Sequence, residues 1–146
     1  MPANTNPIFV LTPNRGVNGG ARITGANTTR DLSSTGNTFI LFTAGTNGSR
    51  VDAIDWVHSS TGLTASVTAT GRLFQCSDIN LTNPRLIREV NLSAVTPVVG
   101  TTVGQTQTMS FTTPLVLPPS YILVVTISTA QSNGNYYDVT VYGGDY

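Results

Sequence analysis

The sequence predicts an all-β domain, a two-layer antiparallel β-sandwich of about eight strands. Short runs rich in β-branched and aromatic residues recur about every ten residues, with Gly, Pro, Asn and Ser between them. No window of about a dozen residues carries apolar residues at helical spacing without Gly, Pro or β-branched interruptions. No internal repeat is visible, which argues against a solenoid or a propeller. We therefore expect a jelly-roll order of strands, with an immunoglobulin-like order as the alternative.

The strand predictions in the first half of the chain rest on apolar runs and the turn residues beside them. Ala21–Thr24 is predicted as a short edge strand. Thr38–Ala44 is apolar on both faces, which is typical of a buried strand. Asn47-Gly48 then indicates a hairpin turn, because both residues tolerate positive φ. In Arg50–Ser59 the apolar parity changes midway, and one extra residue at Asp52–Ala53 would restore it, which predicts a β-bulge.

The second half of the chain carries the remaining strand predictions. Leu63–Ala69 alternates cleanly between apolar and polar residues, and Gly71 is predicted to kink the chain before Leu73–Cys76. Residues 95–106 are rich in Thr, Gly and Val without a clear period and are predicted as a long loop. A turn at Gln131–Asn135 is expected to pair the last two strands. The other predicted strands are Leu86–Leu92, Thr108–Leu117, Tyr121–Thr129 and Asn135–Tyr142.

The chain has few charged residues and no net charge, which excludes some classes of function. Charged residues make up 10% of the chain, against about 25% in ordinary soluble domains. The seven basic residues are all Arg and are scattered, so the basic stripe that nucleic-acid binding requires is absent. The longest apolar run, Tyr121–Val125, is far too short to span a membrane. With 24 Thr and many Asn, Ser and Gly, we expect a surface that packs against other protein; a composition bias of the source genome is the alternative.

Histidine and cysteine, two residue types common in nucleophilic catalysis, occur once each in the chain. His58 has Ser59, Ser60 and Asp55 beside it, but neighbours in a strand point to opposite faces and do not form a triad. Cys76 is expected to be a small buried thiol rather than the partner of His58. A single cysteine cannot form an internal disulfide, which suits a reducing compartment or assembly inside a cell.

The carboxylates are also sparse. Those at positions 52 and 55 are expected to pair with Arg50 or Arg72 rather than to form the facing pair of a glycosidase. Asp138 and Asp145 are isolated, so a calcium site is not expected, and the ligand count excludes zinc. The sequence therefore predicts no catalytic residue, no metal site and no cofactor.

The N-terminal residues 1–20 are predicted to form an extended arm beside a β-sandwich domain at residues 21–146. The arm lacks the charged and apolar regions of a secretory signal. Its apolar run at 8–11 would be costly to expose, so it adds a strand either to its own sheet or to a neighbouring subunit. With the 95–107 loop and the C-terminal residues, it supplies the candidate interface residues: Ile8, Phe9, Val10, Leu11, Val98, Val99, Tyr142 and Tyr146.

Three segments resemble those of a known kind of protein: GTNGSRV at 45–51, LPPSYIL at 117–123 and YGGDY at 142–146. Their arrangement is similar to that in small β-sandwich virion proteins of tailed bacteriophages, over about residues 38–146. The resemblance implies a structural protein on the capsid surface, made in the host cytoplasm. Its implied role is that of a decoration (cement) protein that bridges and stabilises major capsid subunits. Implied partners are the major capsid protein and copies of itself, as a trimer.

Two rival functions remain open. The same family resemblance allows a tail or fibre accessory or receptor-binding module, with carbohydrate bound by exposed tyrosines. Tyr136 and Tyr142 share a parity opposite to that of Tyr137, although cross-strand packing of the rings is the alternative reading. A hydrolase of another type is disfavoured by the poverty of His, Cys and paired carboxylates.

Overall fold

The computed structural model describes residues 12–14, 20–33, 36–62, 64–97, 104–132 and 134–146. Across these residues the chain forms strands, turns and extended connections without a helix, which confirms the all-β class. The strands in this part of the chain are β1 (Thr12–Asn14), β2 (Ala21–Ile23), β3 (Phe39–Thr43), β4 (Ser49–Ser60), β5 (Ala69–Cys76), β6 (Arg85–Leu92), β7 (Thr106–Leu117), β8 (Ile122–Ile127) and β9 (Asn135–Asp145).

The strands form two antiparallel sheets stacked as a sandwich. A five-stranded sheet has the order β1-β9-β4-β7, with β2 also paired to β9, and a four-stranded sheet has the order β3-β8-β5-β6. From β2 onward, every connection crosses to the other sheet except the one between β5 and β6. This is the strand order of a jelly roll, so the predicted two-layer, jelly-roll-like arrangement is confirmed. β1, which pairs with the C-terminal end of β9, brings the number of described strands to nine.

β4 shows how the sequence pattern builds the core between the sheets. Val51, Ile54 and Trp56 face inwards and are fully buried, while the residues between them point outwards. The register against both β7 and β9 shifts between Val51 and Ala53. The β-bulge predicted at Asp52–Ala53 is thus confirmed. It keeps apolar residues on the core side along both halves of the strand.

Gly71 in β5 is needed for packing between the sheets. β5 begins at Ala69, before this glycine, whereas the predicted strand began after it at Leu73. A Cβ at position 71 would lie 3.1 Å from the indole ring of Trp56 and 2.9 Å from Val90. The missing side chain lets Trp56, on the five-stranded sheet, approach the backbone of the four-stranded sheet.

Two turns predicted to form hairpins instead connect strands of different sheets. The first turn has the predicted chemistry: Gly48 has a φ of 86°, and its N–H donates to the C=O of Gly45 at 3.0 Å. It nevertheless joins β3 of one sheet to β4 of the other. Likewise β8 and β9, predicted to pair across Gln131–Asn135, lie in opposite sheets. Turn residues fix the local reversal of the chain, whereas long-range packing decides which sheet receives the next strand.

The alternating segment Leu63–Ala69 is not the predicted strand. Residues 64–68 form an extended connection, and β5 starts only at the last residue of the segment. Side-chain amides hold this connection in place of a neighbouring strand. Gln131 accepts a hydrogen bond from the N–H of Val67 and donates one to its C=O, each at 2.9 Å. Asn135 donates to two further carbonyls of the connection.

The connection between β2 and β3 covers the outer side of the four-stranded sheet. Leu32 in this connection has a φ of 56° and is only 5% exposed. It packs into an apolar cluster separate from the main core, with Phe74 and Cys76 of β5 and Ile122 and Val124 of β8. Because both faces of the sheet are covered here, all six residues of β8 are buried, and the two-sided burial predicted for the β3 segment is confirmed for most of that strand.

A charged network ties the same connection to the sheet. Arg72 in β5 donates to Glu89 in β6 at 3.0 Å. Its Nη1 also donates to the carbonyls of Asn27 and Thr29, at 3.1 and 3.2 Å. Arg30 pairs with the second carboxylate oxygen of Glu89. Burial alone would raise the pKa of Glu89, but the hydrogen bonds and charges of Arg72 and Arg30 hold that pKa below its ordinary value.

We predict that Glu89→Gln destabilises the fold at neutral pH and removes part of its acid sensitivity. A carboxylate whose pKa is lowered by folding stabilises the protein above its unfolded pKa, and this contribution is lost as the pH falls through the folded pKa. At pH 7 the variant should lose roughly 1–3 kcal/mol, the cost of losing a charged hydrogen-bond acceptor beside Arg72. Urea unfolding at neutral pH and below the folded pKa of Glu89 measures both effects.

Asp138→Asn is the matched control, because its ion pair with Arg22 lies at the surface and is worth about 0–1 kcal/mol. Equal losses in the two variants, or a Glu89→Gln deficit that persists undiminished in acid, would contradict the assignment.

Candidate interaction surfaces

The side of the five-stranded sheet that points away from the core presents polar and aromatic side chains. Along β9, Tyr137, Val139 and Val141 are buried, so the residues that alternate with them point outwards. We call this surface the outer sheet face. It carries Arg22, Asp55, Thr108, Tyr136, Asp138 and Tyr142.

One end of the outer sheet face is organised around Arg22. Its guanidinium donates to both carboxylate oxygens of Asp138, at 2.9 and 3.4 Å. Its carbon Cζ also lies 4.0 Å from the centre of the Tyr136 ring, a cation–π distance. The hydrogen bond to Asp138 raises the pKa of Arg22 above its ordinary value, so the arginine stays charged. One face of the Tyr136 ring is therefore already occupied by a cation.

Hydrogen bonds to Asp145 hold the C-terminal residues against the rest of the chain. Oδ1 of Asp145 accepts hydrogen bonds from the Ser49 hydroxyl and from the N–H of Gly45, and Oδ2 accepts one from Asn14 at 3.1 Å. Asp145 thus joins β1, the start of β4 and the turn before it. The N–H of Tyr146 donates to the C=O of Gly48 at 3.2 Å. Sequence reasoning treated Asp145 as an isolated carboxylate, because its three partners are distant in the chain.

Of the candidate interface residues, the structure describes two. Tyr142 is 42% exposed on the outer sheet face, where it is open to a partner. Tyr146 is half-buried, and its carbonyl accepts a hydrogen bond from Asn47. The other six candidates, Ile8, Phe9, Val10, Leu11, Val98 and Val99, lie outside the described residues.

His58 is a structural residue of the core side of β4. It is 4% exposed, its Nε2 lies 3.1 Å from Oδ1 of Asn135, and its ring meets Tyr137 edge-on. The amide nitrogen of Asn135 donates to backbone carbonyls, so the amide oxygen accepts and Nε2 of His58 donates. Asp55 points to the opposite face of the sheet. The structure therefore does not bring these residues together as a triad.

Cys76 lies in the apolar cluster beneath Leu32, away from His58 in the main core. Burial, with a smaller contribution from the charge of Asp78, raises the pKa of the Cys76 thiol to about 11. At neutral pH it is therefore a protonated thiol and a weak nucleophile. Within the described residues no hydrogen bond or contact links it to a catalytic base.

The other carboxylates make local contacts. Asp52 pairs with Arg50 at 2.8 Å, as predicted. Asp55 accepts a hydrogen bond from Thr108 at 2.6 Å, and Arg72 pairs with Glu89, so the expectation of an Asp55–arginine pair is wrong. Among the described residues, no group of three or more His, Cys, Asp or Glu could hold a metal ion. That part of the chain also contains no helix long and apolar enough to cross a membrane.

No protein-family model matches the chain, and no curated protein matches it in sequence. Among solved structures, one that the chain is similar to is the structure of infectious bursal disease virus, Gt strain. The match has 14% sequence identity and a TM-score of 0.29, and it covers 98% of this chain and 36% of that chain. The chain thus spans about a third of the length of its structural neighbour, and a similarity of this strength supports no conclusion about function.

Proposed function

We propose that the protein is a structural component of a bacteriophage particle. In this proposal it is a decoration (cement) protein that binds the capsid surface and bridges major capsid subunits. Its function is to add buried contact area between subunits, and it performs no catalysis. It is made in the host cytoplasm and acts on the particle as a trimer of copies.

The observation that carries the proposal is the character of the outer sheet face. Its backbone lies in hydrogen-bonded strands over the main apolar core, and three of the six side chains named above, Thr108, Tyr136 and Tyr142, carry hydroxyls. Arg22 is paired with Asp138, and Asp55 accepts a hydrogen bond from the Thr108 hydroxyl. When another protein covers such a surface, each of these charged groups keeps a hydrogen-bond partner within the chain. The exposed ring of Tyr142 adds the aromatic contact that is common at interface centres.

The resemblance of three segments to phage virion proteins supports the same proposal. The structure brings two of these segments into contact. In the 142–146 segment, Asp145 and Tyr146 are hydrogen-bonded to the 45–51 segment, at Gly45, Ser49 and Gly48. The two segments therefore form one hydrogen-bonded cluster at the start of β4 and the end of β9, and the partner-facing surface is expected beside it.

We predict that particles lacking this protein are less stable than particles that carry it. Capsids assembled without the protein should open at lower temperature and lower salt, and adding purified protein back should restore both. Imaging should show its density on the capsid surface where subunits meet. The proposal fails if the two kinds of particle survive heat and low salt equally and show no difference in surface density.

A tail or fibre module that binds carbohydrate is the second candidate. Tyr136 and Tyr142 do share the outer sheet face, as their parity predicted, while Tyr137 is buried. Tyr142 lies six positions further along β9 than Tyr136, about 20 Å along the strand, so they would stack on different sugar rings. Since Arg22 covers one face of Tyr136, Tyr142 is the stronger candidate platform.

For this second candidate, we expect glycan-array binding that falls at least about tenfold on Tyr142→Ala, a loss of about 1.4 kcal/mol. Tyr142→Phe keeps the ring and should keep binding. An array without any bound glycan would exclude the candidate.

A further inference from the structure

Arg85 and Arg88 on β6 are the closest pair of basic residues in the sequence, and both are exposed. All seven acidic residues of the chain lie in its described part, and there none is within ion-pair distance of Arg85 or Arg88. The other described arginines each form an ion pair: Arg22, Arg30, Arg50 and Arg72. We call Arg85 and Arg88 the arginine pair.

A β-bulge places the arginine pair on one face of β6. The register of β5 and β6 shifts between Leu73 and Phe74. As a result Arg85 lies opposite Gln75. Arg88 lies opposite Leu73, which is two positions from Gln75 and therefore on the same face of β5. Without the extra residue in β6, two arginines three positions apart would lie on opposite faces. With it, they are about 7 Å apart along the strand.

The guanidinium of Arg88 is held on the side of the sandwich between β6 and β7. It donates a hydrogen bond to the C=O of Ser110, and its Cζ lies 5.7 Å from the centre of the Phe111 ring. Phe111 in turn packs against the main core. An arginine has five N–H donors in a planar fork, and the bond to Ser110 uses one of them. The remaining donors can bind a carboxylate with little further loss of side-chain entropy.

The acidic side chains of a second copy are already engaged in their own chain. Three are in ion pairs: Asp52, Asp138 and Glu89. The other four accept hydrogen bonds from hydroxyl or backbone N–H groups: Asp31, Asp55, Asp78 and Asp145. A segment of another protein whose carboxylates lack such partners is the stronger ligand, because it has no internal bond to lose.

We propose that the arginine pair binds an acidic segment of another protein. Alternate residues of an extended segment lie on one face about 7 Å apart, which matches the spacing of Arg85 and Arg88. Each guanidinium can hold one carboxylate through two parallel N–H···O bonds. Two charges are too few for a nucleic acid, whose binding requires a row of contacts to phosphates.

The arginine pair is a different site from the outer sheet face. It lies on β6 at the edge of the four-stranded sheet, whereas the outer sheet face belongs to the five-stranded sheet. Binding of an acidic segment goes beyond the proposed function, because it requires neither a capsid nor a second copy of the chain. It is also expected to weaken steeply with salt, since exposed charges are screened.

Titration of the ¹⁵N-labelled full chain with a synthetic peptide tests the site by NMR. The probe is the capped peptide GTETETG, with glutamates at alternate positions, and the control GTEETTG has the same composition with adjacent glutamates. At low salt, GTETETG should shift the Nε–H signals of Arg85 and Arg88. GTEETTG should bind about twofold to fivefold more weakly, because only one of its carboxylates faces the arginine pair at a time.

Arg85→Gln and Arg50→Gln are a matched pair of variants. Each removes one positive charge from the surface, but Arg50 lies on β4 and is paired with Asp52. Arg85→Gln breaks no ion pair in the part of the chain that the structure describes, so the fold should be unaffected. Arg85→Gln should raise the Kd for GTETETG about twofold to fivefold, as expected for an exposed ion pair. Arg50→Gln should leave it unchanged.

The proposal fails if the signals of Arg85 and Arg88 do not move, or if GTEETTG binds as tightly as GTETETG. It also fails if both variants weaken binding equally. Inorganic phosphate or a single-stranded oligonucleotide that binds more tightly than GTETETG would overturn it as well, because the site would then recognise phosphate. None of these results bears on the decoration role, since no capsid enters the experiment. Failure to stabilise capsids with GTETETG binding intact would count against the decoration role only.

Discussion

The contact between Trp56 and Gly71 is the constraint on which the sandwich depends. The fully buried indole on the five-stranded sheet reaches the backbone of the four-stranded sheet because position 71 has no side chain. This contact sets the spacing of the two layers at their centre, and the surrounding apolar residues fill the space around it. The β-bulge at Asp52 serves the same contact, since without it Ile54 and Trp56 would point to solvent.

What the sequence could predict followed from local patterns. The parity change in β4 indicated the bulge, the apolar run of β3 indicated two-sided burial, and the alternation around Tyr137 separated core from surface. Sheet membership was not visible, because the Asn47-Gly48 turn reads the same whether it joins two strands of one sheet or of two. The strand predicted at 63–69 failed for a similar reason: the groups that hold residues 64–68 include the side-chain amides of Gln131 and Asn135, far along the chain.

The candidate surfaces also include some features that the sequence predicts and others that it does not. Parity placed Tyr142 on an exposed face correctly. The sequence could not predict the hydrogen bonds that hold Asp145 and Tyr146 against the turn before β4 and the start of that strand. These bonds join residues about a hundred positions apart. The cover of the four-stranded sheet by Leu32 was missed as well. One leucine among Ser, Thr and Asn carries no periodicity, and its burial depends on Arg72 and Glu89 holding the connection in place.

The features of the surface all suit the same function, because the exterior is nearly neutral. Hydrogen-bonded charges and hydroxyls on the outer sheet face, and a β7 strand without charged residues, all favour contact with protein surfaces through packing and short hydrogen bonds. The most direct test is the affinity of the purified protein for capsids that lack it, measured from low to high salt. Contacts of this kind predict a dissociation constant that changes by less than about threefold, since little screened charge is involved. A steep loss of binding with salt, or no binding at any salt concentration, would contradict the account.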